Sequence, residues 1–170
     1  RITFMTSFYA CLGGHFELVK FFLERENKAA RPWNLYLSAA ARSGNRSLVD
    51  FMMEKNASNW DPALVSAARG GHAELVEFFI EKGAGDWNAA LAGAIHGKNK
   101  ELREKMMNKA TDFNEALHAA SYVGDMELVE LLVSKGANDF ESAIYAAAST
   151  GNRQLMEYFI QKGANNLQTA

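Results

Sequence analysis

A bulky aromatic recurs along this chain at Trp33, Trp60, Trp87, Phe113 and Phe140, at spacings of 27, 27, 26 and 27 residues. Behind each aromatic the wording repeats. A short polar step leads to an alanine-rich run, then a turn, a leucine, two bulky apolar residues and, in several copies, Lys-Gly-Ala. Self-similarity at a fixed period belongs to stacked arrays, in which one copy buries too little apolar surface to fold alone and takes the rest of its core from its neighbours. The expected repeats run 3–32, 33–59, 60–86, 87–112, 113–139 and 140–166, with another beginning at 167–170. The chain reads as a single repeat array and as an excerpt from a longer one.

The first half of each repeat is small: Ala39-Ala40-Ala41, Ala67-Ala68, Ala92-Gly93-Ala94, Ala119-Ala120 and Ala146-Ala147-Ala148. Alanine favours helix and has no bulk, so helices faced with it approach closely. Asp61-Pro62 places a capping residue before a proline at the first helical position, and Asp112–Glu115 has capping-box spacing. The second half is amphipathic. One column reads Leu18, Leu48, Leu75, Leu102, Leu128 and Leu155. Four residues on stand Phe22, Met52, Phe79, Met106, Leu132 and Phe159, with Leu23, Met53, Ile80, Met107, Val133 and Ile160 beside them. Spacings of four and five trace one face of a helix. Gly83, Gly136 and Gly163 follow, with Asn56 in the same place, where a helix stop favours a left-handed residue. One repeat departs. Arg103 stands in the column of Val76 and Val129, Lys105 in that of Phe78 and Leu131, and Lys98 where Gly71 and Gly124 stand. The array is expected to be weakest there, or covered.

Of 170 residues, 48% are apolar and 22% charged, the composition of a folded domain rather than a disordered one. The 18 basic and 20 acidic side chains are dispersed, with no basic block of the kind nucleic-acid binders carry. The single cysteine, Cys11, excludes an intrachain disulfide and suits a reducing compartment, so the expected location is intracellular, in the cytoplasm. No run approaches a membrane span, and no signal-peptide pattern opens the chain.

Paired helices, a Gly-His turn, an Ala-Ala pair and a terminal Lys-Gly-Ala together resemble the ankyrin repeat family. The resemblance rests on Leu64, Ala67, Ala68, Gly71, His72, Leu75, Val76, Phe79, Ile80, Gly83 and Ala84, and it recurs over almost the whole chain. The family period is about 33 residues. The shorter period here removes connector residues, so the expected fold is an all-α solenoid of antiparallel helix pairs with tight connectors in place of hairpin fingers. The Asp-Trp-Asn wording also resembles short-unit ankyrin arrays of large DNA viruses that infect protists, for which the location would be the host cytoplasm. The resemblance implies a non-enzymatic, monomeric module that binds another protein on a concave face lined by the first helices.

The aromatic row is either a stacking platform for a ligand or a set of staples packed beside the helix starts; its even spacing favours staples. His15 and His72 share their turn position with Asn45, Asn99, Asp125 and Asn152, and all are read as helix caps. Cys11 lies in an alanine column and is read as a small buried hydrophobe. No catalytic, metal-ligating or cofactor-binding set is legible, because no acid or cysteine cluster accompanies the histidines and no glycine loop follows a strand. By resemblance, the positions that vary near the ends of the first helices are the candidate partner contacts: Arg42, Arg69, His96, His118, Tyr122 and Tyr145. Two rivals stand beside this reading. One is a structural spacer within a longer protein. The other is a small-molecule or enzymatic site in the degenerate stretch 98–109, which would need a pocket with converging polar groups.

Overall fold

The computed structural model describes residues 3–27 and 31–167, with side chains as far as 163. Among these residues there are helices and no strand. The chain divides into two compact units, Arg1–Asp86 and Trp87–Ala170. The first holds α1 (Phe4–Leu12), α2 (Phe16–Arg25), α3 (Trp33–Ser43), α4 (Arg46–Glu54), α5 (Trp60–Gly70) and α6 (Ala73–Glu81). The second holds α7 (Trp87–His96), α8 (Lys100–Met107), α9 (Asn114–Val123), α10 (Met126–Ser134), α11 (Phe140–Ser149) and α12 (Arg153–Leu167).

In each unit the odd-numbered helices pack side by side, α1 on α3 on α5 and α7 on α9 on α11, and each carries its partner on the outside. The alanines are the cause: Ala39–Ala41, Ala67, Ala68, Ala119, Ala120, Ala146 and Ala147 are buried where helix backbones meet. The even-numbered helices carry the bulk. Leu48, Leu75, Leu102, Leu128 and Leu155 are buried, with Met52, Phe79, Met106, Leu132 and Phe159 fully so. A further buried column, Val19, Val49, Val76 and Val129, lies beside them. Two residues of the expected core are exposed instead. Leu18 is 48% and Ile160 53% exposed. Leu18 lies in the first described pair and Ile160 in the last, so each has a described neighbouring pair on one side only.

The turns repeat one device. Gly44, Gly71 and Gly124 adopt φ of 79°, 79° and 80°, reversing the chain between first and second helix. Asn45, Asn99, Asp125 and Asn152 then cap the second helix, each accepting the amide three residues on at 2.9–3.2 Å (3.1, 2.9, 3.0 and 3.2 Å). His15 and His72 make no such cap bond. The His72 Nε2 instead lies 3.0 Å from the Arg42 carbonyl, tying one repeat to the one before it, as Asn45 Nδ2 does by donating to the Gly14 carbonyl at 2.9 Å.

The connectors are held by contacts that no local sequence pattern announces. The residue after Trp33, Trp60, Trp87 and Phe113 accepts two successive amides from the far end of its own repeat. Asn34 takes Ser58 and Asn59 at 2.9 and 3.1 Å, and Asp61 takes Gly85 and Asp86 at 2.7 and 3.1 Å. Asn88 takes Thr111 and Asp112, and Asn114 takes Asn138 and Asp139. Asp61 is therefore not the cap of its own helix, which begins one residue earlier at Trp60, and Pro62 falls inside the first turn, where it costs no hydrogen bond. Asp112 accepts the Asn114 amide at 2.8 Å, and α9 starts at Asn114, one residue later than the capping-box reading placed it. Gly83 and Gly136 take the expected positive φ, as does Asn56 at 66°. Gly163 does not end its helix. The last repeat has Glu141 at the clamp position, one methylene longer, and its carboxylate accepts the Tyr145 hydroxyl at 3.4 Å; α12 runs on through Gly163 to Leu167.

The opening aromatics are half-buried. Trp60 stacks on Phe79 with centroids 6.4 Å apart, and Phe140 on Phe159 at 6.0 Å, both within 27° of parallel. These two rings pack against the second helix of their own pair, in the manner of staples.

Candidate functional site

The six candidate contacts divide between the units. In the first, Arg42 and Arg69 stand exposed at equivalent places near the C-terminal ends of α3 and α5, each beside the buried alanine pair that draws those helices together. In the second, the rings of His96 on α7 and Tyr122 on α9 meet edge to face with centroids 5.5 Å apart. His118, one turn before Tyr122, is half-buried, while Tyr145 on α11 is 66% and Tyr122 48% exposed. Close alanine packing of the backbones is what brings successive first-helix ends within reach of one another. Exposed arginine and tyrosine at such places are the types that anchor protein contacts.

The degenerate repeat carries a groove. Lys98, Lys100, Arg103 and Asp125 line a cavity of about 330 Å³ over Ile95 and Leu128. Arg103 replaces a fully buried valine of other repeats, and its side chain, 25% exposed, reaches Asp125 with Nη1 to Oδ2 at 3.4 Å. Asp125 does two jobs, since its other oxygen caps α10 at Leu128. Lys98 sits at φ 54°. That conformation costs a residue with a Cβ about 1–2 kcal/mol, and glycine avoids the cost. The Lys105 substitution is harmless by contrast, because its column is a surface one: Lys105 is exposed, Phe78 only half-buried and Leu131 exposed. The exchanges at Lys98 and Arg103 are legible in the sequence. That Lys100 and Asp125 join them is not, because Asp125 belongs to the next repeat.

A second polar cluster lies buried between the first and second repeats. Glu26 accepts hydrogen bonds from the Ser7 hydroxyl at 2.6 Å and the Tyr36 hydroxyl at 2.5 Å, and Tyr36 also donates to the Phe4 carbonyl at 3.3 Å. Ser7 and Tyr36 fill places that hold leucine and alanine in later repeats, so this one polar set replaces part of the apolar core. Burial pushes the Cys11 thiol up to about 12 from its ordinary 9.0, with the Glu26 charge adding to the rise. Burial, followed by the bond to Glu26, raises the Tyr36 hydroxyl well above its ordinary range. A thiol so held stays neutral and packs as a small apolar group, not as a nucleophile.

Among the described residues no group of three or more His, Cys, Asp or Glu side chains is placed to hold a metal ion. Among them, too, no helix is long and apolar enough to cross a membrane. Comparison with known families matches residues 7–170 to the family described as ankyrin repeats, in three copies. Comparison with curated proteins finds no match.

Proposed function

The chain belongs to the ankyrin repeat family, and from that premise we propose that it is a non-enzymatic module binding another protein through the exposed ends of its first helices. Ankyrin repeats are in general protein-interaction modules. The assignment to this surface rests on one contrast. Beneath it the alanine pairs are buried and repeat almost unchanged, whereas the positions above them vary, from the exposed Arg42 and Arg69 to the half-buried His96 and the exposed Tyr122. Packing dictates the first set and not the second. Within each unit the packed helices also present these side chains already ordered, so little conformational entropy is lost on binding.

Arg42, Arg69 and Tyr122 replaced together by alanine should leave the thermal melt unchanged, because none is buried. The same triple variant should lose the partner that the unaltered chain captures from a lysate. Capture that survives the triple change would move the contact surface elsewhere. A chain that captures nothing in either form would favour a spacer role.

A further inference from the structure

The groove in the degenerate repeat has an equivalent in the first unit, and the comparison separates what stacking creates from what this repeat adds. The equivalent cavity, about 300 Å³, lies between Gly44, Arg46, His72 and Glu74. There the cation is spent: Arg46 pairs with Asp50 at 2.8 Å and lies 3.8 Å over the Phe78 ring. In the degenerate repeat three cations, Lys98, Lys100 and Arg103, face one carboxylate, Asp125. Arg103 makes only the 3.4 Å contact to Asp125, whose other oxygen is committed to the Leu128 amide at 3.0 Å. Lys100 reaches Glu104 at 4.0 Å across exposed surface, and among the described residues Lys98 has no carboxylate partner. Among the residues that line this groove three cations thus face one carboxylate, an excess of two within the lining, with Glu104 outside it 4.0 Å from Lys100.

We propose that this groove binds a small phosphomonoester, with the phosphate held by Arg103, Lys98 and Lys100 and the organic remainder lying over Ile95 and Leu128. Three observations converge on that ligand. A phosphomonoester carries about −1.5 to −2 charges at neutral pH, matching the surplus; a carboxylate would leave a cation unpaired. The guanidinium retains donors for a second, forked contact, and Arg-phosphate pairing uses them. Lys98 is kept in a left-handed conformation that other repeats assign to glycine, at Gly44, Gly71, Gly124 and Gly151. Strain retained at one position is the mark of a side chain that is used. The cavity volume stands at the small end of ligand pockets, which suits a small molecule. None of these residues belongs to the proposed protein-contact set, so either reading stands without the other.

The test is a titration of the whole chain with phenyl phosphate at constant ionic strength, followed by amide chemical shifts. Saturable shifts at Lys98–Arg103 and Asp125–Leu128 are expected, weaker with inorganic phosphate and missing with phenol. Lys98→Gly and Arg103→Val restore what other repeats carry, so both should fold, and Lys98→Gly should melt higher. Each should nonetheless weaken phenyl phosphate by about tenfold or more, the worth of one charged hydrogen bond. Shifts that fail to saturate, or equal binding by Arg103→Val, would overturn the proposal. Tighter binding of a phosphoserine peptide than of phenyl phosphate would overturn the small-molecule assignment and give the site to a protein-borne phosphate.

Discussion

Gly70 shows how little room the stack leaves. A Cβ added there would lie 2.4 Å from the Arg42 carbonyl oxygen, a backbone atom of the preceding repeat, and 2.5 Å from the His72 ring. The residue lies in helix α5, so its requirement is close approach rather than a special dihedral. In an open helix, glycine to alanine stabilises by about 1 kcal/mol. At this place Gly70→Ala should destabilise by about 1–3 kcal/mol through overpacking, read as a lower urea midpoint, with the His72 contact to Arg42 lost. Cys11 ties stability to pH. Its thiol titrates near 9 when unfolded and is held to about 12 when folded, so between those values the folded chain keeps a proton the unfolded chain releases. The stability this contributes is complete below pH 9 and is lost as pH rises toward 12. Tyr36, also raised, acts in the same direction at higher pH. Cys11→Ala, which installs the residue found at Ala41 and Ala68, should remove about 1 kcal/mol of the loss seen in urea melts between pH 8 and pH 10.

At the scale of the element, the connector clamps set where each helix pair ends. Asn88 accepts the Thr111 and Asp112 amides, fixing the segment after α8, the shortest helix described. Asn88→Ala should cost about 1 kcal/mol, since water replaces part of two exposed bonds, and should speed hydrogen exchange at those two amides before any others. Asn34, Asp61, Asn88 and Asn114 were all visible as polar residues behind an aromatic. Their role was not, because each partner lies 23 to 25 residues along the chain and draws near only when the pair has closed. Local capping is the nearest explanation for an Asp before a proline, and at Asp61 the closed repeat overrode it. The turn position behaved differently. Asn45, Asn99, Asp125 and Asn152 cap as the sequence implies, because the amide they reach is only three residues away.

For the whole molecule, stability is a sum over neighbouring repeats within each unit, and damage should stay local at first. Phe79 is fully buried and stacks under Trp60. Phe79→Ala should cost about 3–5 kcal/mol, with hydrogen exchange rising through α5 and α6 ahead of α1 and α2. The period, the paired helices, the alanine-faced contacts and the family were all legible in the chain alone. Helix propensity and apolar spacing act over a few residues, and a recurring pattern multiplies a weak signal into a strong one. The tertiary structure decided the rest: that Leu18 and Ile160 stand uncovered, that His72 bonds back to Arg42, that α12 runs on through Gly163, and that Lys98, Lys100, Arg103 and Asp125 share one groove. Each of these depends on how near two repeats come to one another. That distance is set by the packing of the backbones and is written in no single repeat.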